Sequence, residues 1–440
     1  MVEDTNSDRV EKPAVVRSRT SSVGQFTLGD TAPGLSTMSP TKTQLRGSLN
    51  RQRALSKGDS ETTAGGDSGV KRDAGGSASS ELESVGGQEK GIGGVMKTWM
   101  TFREVIYRKT WVLPLLLLLI PPTLFAASND KSPANPLYGM LFSSYRIEPE
   151  QEGGVVMYGK GKKDFLFVGY YMIVLSFVRE FVMQQILEPL ALWNGLKREG
   201  KIKRFMEQTY VIFYTGIVGP WGLAIMHHMP LWYFETRPMY ETPHLSHELD
   251  FKLYYLLQAA FWGQQSVVLM LQLEKPRKDF KELVFHHIVT IALIFCSYRF
   301  HFTWIGLEIY ITMDLSDLTL AISKTLNYLN HWFTAPFFVI FTCSWIYLRH
   351  YLNLRILWSV ATEFRTVGDF TLNWETEQYK CWISQYITFG LLLALQLVNL
   401  YWLFLVLRIA YRLVFKEQLR DDRSDDDEEE EEEEDKKKNE

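Results

Sequence analysis

"ELVFHHIVTIALIFCSYRFHFTWIGLEIYITMDLSDLTLAISKTLNYL", residues 282–329, is apolar enough to lie in a lipid bilayer. It nevertheless carries two adjacent histidines, His286 and His287, and two aspartates, Asp314 and Asp317. Ionisable side chains inside a membrane segment are costly, and they usually serve a site or a pathway. The stretch therefore predicts two membrane helices with a functional centre between them.

The rest of the chain consists of a membrane-embedded middle and two polar tails. Residues 421–440 carry a net charge of −10, so the formal charge of −4 leaves the other 420 residues at +6. Aromatic residues make up 14% of the chain, which is high for a soluble protein, and the polar tails explain the mean hydropathy of −0.10. The three cysteines lie in or beside apolar segments and predict no disulfide framework. The composition predicts an all-α polytopic membrane protein.

The chain divides into four predicted regions. Residues 1–95 are rich in Ser, Gly, Thr and charge, so we expect them to be disordered. They do not resemble a cleavable secretory signal, so the first apolar run must direct membrane insertion. The regions are a cytosolic tail (1–95), a first transmembrane helix with a lumenal loop (96–163), a helical membrane domain (164–415) and an acidic cytosolic tail (416–440).

About eight segments are long enough, at roughly 20 residues each, to cross the hydrocarbon core as helices. Several contain glutamines and a few charges, which suits helices packed against one another. The predicted spans are Trp111–Ala127, Asp164–Glu188, Arg204–Met226, Phe251–Leu273, Lys281–Arg299, Thr303–Leu326, Phe333–Tyr351 and Trp382–Phe415.

Basic connecting loops predict the orientation, because Lys and Arg collect on the cytosolic side. The loops at 194–204 and 274–282 are strongly basic, and each follows an even-numbered span. Both termini are therefore predicted to be cytosolic. The connection at 351–370 would then be lumenal although it contains Arg355 and Arg365, which conflicts mildly with this orientation.

The geometry of spans five and six allows the four ionisable side chains to meet. His286 and His287 lie roughly 8 Å inside the membrane, at a helical rise of about 1.5 Å per residue. Asp314 and Asp317 are spaced i, i+3 and share one helix face. The connection near residues 300–302 is very short, so the spans run antiparallel and the two pairs lie at comparable depth.

Two other interpretations fit part of this pattern. A buried histidine or an i, i+3 aspartate pair can be a structural hydrogen-bonding network or a cation site. A membrane di-iron hydroxylase also keeps histidines near the cytosolic face, but the nine histidines contain no H-x-x-H-H box, and four of them fall on the opposite side in this topology. We therefore expect no metal.

Acyl transfer suits neutral imidazoles that are backed by carboxylates in a pocket open to the cytosol. Imidazole can act as a general base on an amine or as a nucleophile, and a carboxylate can fix its tautomer. Basic residues at the cytosolic mouth could hold the phosphates of a carrier such as coenzyme A, although they also simply satisfy the positive-inside rule. These residues are Arg198, Lys201, Lys203, Arg204, Lys275, Arg277 and Lys278.

The opening stretch resembles the longevity-assurance motif of ceramide synthases, which lies within their TLC domain. The pattern H-H-x-x-T, S-Y, G and D-x-x-D, with a downstream Lys and Tyr, is matched by His286, His287, Thr290, Ser297, Tyr298, Gly306, Asp314, Asp317, Lys324 and Tyr328. The similarity extends from about residue 164 to 415 and is greatest to the fungal catalytic subunits. The chain differs from many animal members at His301, Met313 and Ala321, and it lacks their homeobox-like insert.

The resemblance implies a TLC-type helical barrel that transfers a very-long-chain fatty acyl group from acyl-CoA to the amine of a sphingoid base. It implies His286 or His287 as nucleophile or base, with Asp314 and Asp317 as orienting groups. It also implies an endoplasmic reticulum location, a small single-pass membrane subunit, and homo- or heterodimers of catalytic subunits. No cofactor besides the co-substrate acyl-CoA and no nucleic-acid partner is expected. The alternative is a TLC-domain protein that binds or senses lipid without catalysis.

The tails predict regulation and retrieval. Ser22 and Ser56 follow R-x-R-x-x spacing that fits basophilic kinases, and Ser424 precedes an acidic run that fits an acid-directed kinase. Such matches also arise by chance in disordered segments. The terminal "KKNE" places Lys437 and Lys438 at the spacing of a dilysine retrieval signal, or else simply balances the acidic run.

Overall fold

The computed structural model describes residues 103–104, 106, 108–149, 153–241, 243–272 and 279–416. Its described part is mostly helical. The predicted tail at 1–95, the three kinase sites and the dilysine lie outside these residues. Lys275, Arg277 and Lys278 of the second basic loop also lie outside them.

Eleven α-helices follow one another along the described part of the chain. They are α1 (Val112–Ala127), α2 (Pro136–Leu141), α3 (Lys163–Val182), α4 (Glu188–Trp193), α5 (Glu199–His228), α6 (Leu249–Met270), α7 (Phe280–Arg299), α8 (Thr303–Tyr328), α9 (Thr334–Trp345), α10 (Asn353–Thr362) and α11 (Trp382–Lys416). One π-helical segment, Met183–Leu187, joins α3 to α4, and another, Ile346–Leu352, joins α9 to α10. A 3₁₀ turn covers Arg237–Tyr240.

Each of the eight predicted spans is helical in the structure. Four helical segments are long and apolar enough to cross a membrane by length and composition, and α1 is a shorter apolar helix. The four segments are Lys163–Trp193, Glu199–His228, Phe280–Arg299 and Trp382–Phe415.

The prediction of a loop over residues 351–370 is wrong for its first half, because α10 extends to Thr362. Asn353, Ile356, Leu357 and Val360 recur at helical spacing and are all buried. Burial of this face stabilises the extra turns. Arg355 of the same helix lies 3.7 Å from Glu235, and Arg365 donates to Gln385, so the two arginines that conflicted with the predicted orientation have polar partners here.

Short strands form a cap at one end of the helices. Strands β1 (Arg146–Ile147), β2 (Met157–Tyr158) and β3 (His247–Glu248) make an antiparallel sheet in the order β1-β2-β3. A separate hairpin pairs β4 (Leu372–Asn373) with β5 (Gln378–Tyr379). The cap adjoins the start of α6, the end of α7 and the start of α8, so it lies at the end of these helices opposite the start of α7.

The short α7–α8 connection is confirmed. Helix α7 ends at Arg299 and α8 begins at Thr303. His301 adopts a left-handed backbone conformation with φ of 65°, which reverses the chain within three residues. The two helices that carry the predicted catalytic residues are therefore antiparallel neighbours.

Candidate functional site

A cavity of about 200 Å³ brings all four predicted catalytic residues together. His286 and His287 of α7, and Asp314 and Asp317 of α8, line it. Helices α5, α6 and α11 and the α9–α10 segment complete its wall. The antiparallel hairpin places the histidines, near the start of α7, beside the middle of α8.

The two histidines differ in their hydrogen bonding. His286 is 6% exposed, and its Nδ1 has no hydrogen-bond partner among the described residues. His287 Nδ1 lies 2.9 Å from the carbonyl oxygen of Leu283, one turn earlier on α7. A carbonyl only accepts, so the neutral ring of His287 carries its proton on Nδ1 and its lone pair on Nε2.

The two carboxylates have different partners. Asp314 is 2% exposed and accepts a hydrogen bond from the side-chain amide of Gln258 on α6. Asp317 forms an ion pair with Arg349, at 2.5 Å between Oδ1 and Nη2. Whether these carboxylates orient the histidines during a reaction stays a prediction.

Arg349 is a cavity residue that the sequence interpretation overlooked. It lies in the π-helical segment between α9 and α10, is 3% exposed, and stacks its guanidinium 4.1 Å from the ring centre of Trp345. Its other donors reach Ser316 at 2.5 Å and Asn399 at 3.3 Å. The rule that selected the histidines also applies to a charge inside predicted span seven, so the signal was present.

Three further wall residues also went unnoticed. Trp262 of α6 and Trp402 of α11 line the cavity, as does Asp279 at its edge. Aromatic residues are common in membrane helices, so their sequence gives no specific signal. Asp279 lies in the basic loop, where only the cations drew attention.

A second, narrower cavity of about 60 Å³ adjoins the first. Its lining is largely apolar and comes mainly from α7, α8 and α11. Among the residues that the structure describes, His286 and Trp262 alone line both cavities. His286 therefore lies at the junction between a polar chamber and an apolar one.

The first basic loop lies near the cavity without lining it. Lys201, Lys203 and Arg204 belong to the first turns of α5, and Arg198 directly precedes this helix. Gln208, one turn after Arg204, is a cavity residue. Arg204 lies 3.5 Å from Glu207 on its own helix.

Three further motif residues, Ser297, Tyr298 and Gly306, brace the cap side of the helices. Ser297 hydrogen-bonds to Tyr255 of α6, and Tyr298 donates to Asp164 of α3 at 2.8 Å. A Cβ at Gly306 would collide with the hydroxyl of Tyr255, so glycine permits this close approach. The motif thus contains a cavity part and a bracing part.

Among the described residues, no group of three or more His, Cys, Asp or Glu side chains is arranged to hold a metal ion. The polar groups of the cavity are instead two imidazoles, three carboxylates and the two cations Lys324 and Arg349, together with neutral amides and a hydroxyl. Such a set supports proton transfer and nucleophilic attack.

Comparison with known proteins agrees with the motif. A TLC domain family model matches residues 204–408. Ceramide synthase LAG1 of Saccharomyces cerevisiae is 48% identical over 423 residues, which cover 96% of this chain and 95% of that protein. Sphingosine N-acyltransferase lac1 of Schizosaccharomyces pombe is 48% identical over 318 residues, which cover 72% and 81%. Ceramide synthase 4 of Bos taurus is 30% identical over 227 residues, which cover 51% and 54%.

These relatives and the four apolar helical segments together indicate a multi-pass membrane protein. The family predicted from residues 282–329 is confirmed. The chain belongs to the ceramide synthase family and carries its TLC domain.

Proposed function

We propose that this chain is a ceramide synthase that joins a fatty acyl group from acyl-CoA to the amine of a sphingoid base. The observation that carries the proposal is the single cavity lined by His286, His287, Asp314 and Asp317, in a chain 48% identical to ceramide synthase LAG1 over 96% of its length. A protein that only bound lipid would not need this set of proton-transfer groups in its interior.

The overall reaction converts an ammonium and a thioester into an amide, a thiol and a proton. The amine nitrogen loses one proton before it forms a C–N bond to the thioester carbonyl carbon, and it loses a second proton afterwards. The C–S bond breaks, and the departing CoA sulfur takes up a proton. A group that accepts and returns protons near the carbonyl carbon is therefore needed.

The junction between the two cavities supports His286 as the residue beside the thioester. An acyl chain in the apolar cavity and a CoA group on the polar side would meet at its ring. In a covalent route, an imidazole nitrogen forms a bond to the carbonyl carbon and CoA thiolate leaves, after which the amine nitrogen displaces the imidazole. In a direct route, the histidine only accepts the proton of the amine.

The hydrogen bond to Leu283 supports His287 as a base, because its Nε2 holds the lone pair. Asp314 and Asp317 would counter the positive charge that forms on the imidazoles. Arg349 holds the carboxylate of Asp317 in place by its ion pair. The base, the carboxylates that stabilise its charge and the arginine that positions one carboxylate thus lie in the same cavity.

The basic residues Arg198, Lys201, Lys203 and Arg204 are candidate ligands for the CoA phosphates, and Lys275, Arg277 and Lys278 complete the proposed set. Their positions in the sequence, at the start of α5 and shortly before α7, support a cytosolic route for acyl-CoA. We further propose eight spans in a TLC-type barrel, an endoplasmic reticulum location, cytosolic termini and a small single-pass subunit. Single cysteines at Gly200 and Gly154 test this map, because only the first should react from the cytosolic side.

The direct test incubates the purified full-length chain with acyl-CoA and a sphingoid base and measures the amide product. We expect amide formation that depends on both substrates. A second experiment omits the amine and uses labelled acyl-CoA. A burst of free CoA equal to the enzyme concentration, with label on His286 or His287, supports the covalent route. Lipid binding without any amide product would favour the non-catalytic alternative and contradict the proposal.

A further inference from the structure

His286 is enclosed by aromatic rings. Its ring centroid lies 5.6 Å from that of Trp262 and 5.1 Å from that of Trp402, with interplanar angles of 70° and 67°. Trp262 belongs to α6 and Trp402 to α11, so the two indoles reach the imidazole from different helices. The ring is thus held from two directions.

Positive charge appears on this ring when His286 is the nucleophile of the covalent route or the base of the direct route. A proton accepted by His286 makes an imidazolium, and attack on the thioester by a ring that retains its N–H makes an acyl-imidazolium. The Nδ1 atom of His286 has no protein hydrogen bond in the described structure that could stabilise this charge. In addition to the nearby carboxylates of Asp314 and Asp317, the charge therefore needs a source of stabilisation in direct contact with the ring.

Indole rings can supply it. A cation that lies over the face of a tryptophan ring, within about 6 Å of the ring centre, is attracted by the negative charge of that face, and the attraction grows when water is absent. Both indole centres lie within that distance of the His286 ring centre in near-perpendicular, edge-to-face arrangements, and the attraction operates where the imidazole edge points at the indole face. Such an interaction strengthens as the charge develops, so it favours the transition state over the resting enzyme.

Asp279 fixes one of the two indoles. Its Oδ2 accepts a hydrogen bond of 3.1 Å from Trp402 Nε1. Asp279 occupies the N-cap position of α7, where an aspartate normally accepts from the first N–H groups of its own helix. Its side chain makes no such capping bond and is directed to Trp402 instead.

We propose that Trp262 and Trp402 form an aromatic cage that stabilises positive charge on His286, and that Asp279 is a positioning residue that holds Trp402 against this ring. The inference rests on the proposed function, because acyl transfer is what places the charge on the imidazole.

The main experiment replaces Trp402 with mono-, di- and trifluorinated tryptophan in the full-length chain. Fluorine withdraws charge from the π face while the ring keeps its shape, so a purely packing role is insensitive to the series. We expect kcat to fall with each fluorine, by about three- to thirtyfold in total, which matches an attraction of roughly 0.5–2 kcal/mol. KM for both substrates should stay within about twofold. The same series at the exposed Trp382, on the same helix, should leave kcat unchanged.

Two results would overturn the cage. A kcat that does not change along the series would mean that Trp402 acts through packing alone. A rise in KM for the sphingoid base at constant kcat would mean that the indole belongs to a substrate-binding surface. The conservative variant Trp402→Phe, which keeps a weaker π face, should be more active than the apolar Trp402→Leu.

Asp279 is tested in two backgrounds. Asp279→Ala should lower kcat in the unsubstituted protein and have little further effect in Trp402→Phe, whereas Asp279→Asn, which keeps an acceptor oxygen, should recover most of the loss. A KM effect on the amine in both backgrounds would overturn the positioning role. The matched control is Asp250→Ala, which breaks a similar 2.8 Å bond to Trp221 outside the cavity. Absence of amide formation by the unsubstituted protein would instead overturn the proposed function, and the inference with it.

Discussion

Two groups of histidines use the same residue type differently. The cap group comprises His244, His247 and His301, each less than 8% exposed, and the cavity group comprises His286 and His287. Every cap ring hydrogen-bonds to the protein, at distances of 3.3 Å to Met239 O, 3.0 Å to Thr303 Oγ1 and 3.2 Å to Lys160 Nζ. Nε2 of His301 is a second ring nitrogen without a hydrogen bond, but that ring is held through its Nδ1, whereas Nδ1 of His286 in the cavity has no partner among described residues.

This difference separates a folding role from a chemical one. A buried polar atom without a partner costs about 1–3 kcal/mol. A fold tolerates such a cost mainly at functional sites. The hydrogen bonds of the cap histidines hold loops together, whereas the ring of His286 remains available to a substrate.

The largest expected effect is a loss of activity from a cavity substitution, compared with a loss of stability from a cap substitution. His286→Ala should lower amide formation by about 10²–10⁴, the usual contribution of a general base, and leave the thermal midpoint nearly unchanged. His247→Ala should destabilise by about 1–3 kcal/mol, because Thr303 loses its buried partner, while each folded molecule retains its turnover. Turnover per folded molecule and thermal unfolding in detergent measure both effects.

The comparison fails if His286→Ala is poorly folded and its remaining folded fraction works normally. Non-additivity provides a second check. The double variant His286→Ala with Asp314→Ala should lose little more activity than His286→Ala alone. When groups act as a unit, removing the first already abolishes most of their joint contribution.

The next effect concerns a buried ion pair on the cap side. Lys252 and Asp164 are 0% and 4% exposed and lie 2.8 Å apart. Lys252→Met should destabilise by about 3–5 kcal/mol, because it leaves a buried carboxylate without its cation.

In the cavity, Arg349→Lys keeps the positive charge beside Asp317. Its main effect should be a lower kcat, with only a small change in the thermal midpoint.

The double variant Lys252→Met with Asp164→Leu is the control. Replacing both charged partners by apolar groups often restores stability, so the double variant should be more stable than Lys252→Met. If it is equally unstable, the loss comes from packing and the ion pair contributes little.

The sequence predicts those parts of the molecule that depend on local signals. Apolar run length locates the eight helical segments, and polar residues inside apolar segments identify His286 and Asp314. The walls of the cavity depend on which helices become neighbours, so Trp262 and Trp402 carry no signal of their own. Arg349 did carry one, but it was overlooked because the apolar character of span seven dominated. The helix beyond Tyr351 was also missed, because its apolar residues do not form a continuous run and are recognised only as a pattern with helical spacing.

A smaller effect tests the bracing part of the motif. Gly306→Ala would press a methyl group against the ring of Tyr255, whose Cζ lies 3.0 Å from the added Cβ. We expect a loss of about 1–3 kcal/mol from overpacking. Gly216→Ala is the matched control, because no atom of a described neighbour lies within 4 Å of its added Cβ, and it should be neutral or slightly stabilising. Equal thermal midpoints for the two variants would contradict the close-approach explanation.

The smallest effect is a pH dependence in the cap. Burial lowers the pKa of Lys160 to about 7, against the opposing charges of Asp164 and Glu377 and with the help of Lys252. Burial and the nearby Lys160 lower the pKa values of His244 and His301 to about 3, and they lower that of His247 as well. The three rings therefore stay neutral at and above pH 7. Burial also lowers the pKa of Lys380 to about 8.

Lys160 binds a proton less readily in the folded chain than in the unfolded one, whose lysine pKa is near 10.4. Between pH 7 and 10 the unfolded state thus holds more protons, so stability should rise with pH, by up to about 1.4 kcal/mol per pH unit. Lys160→Met removes this contribution and should flatten the rise in thermal midpoint between pH 7 and 9, and the remaining slope should belong to Lys380. An unchanged slope in Lys160→Met would show that Lys160 keeps its proton in the folded cap. Lys160 beside His301 would then be a buried charged group. The cap, like the cavity, would contain a buried charge, and the contrast between the two groups of histidines would be weaker.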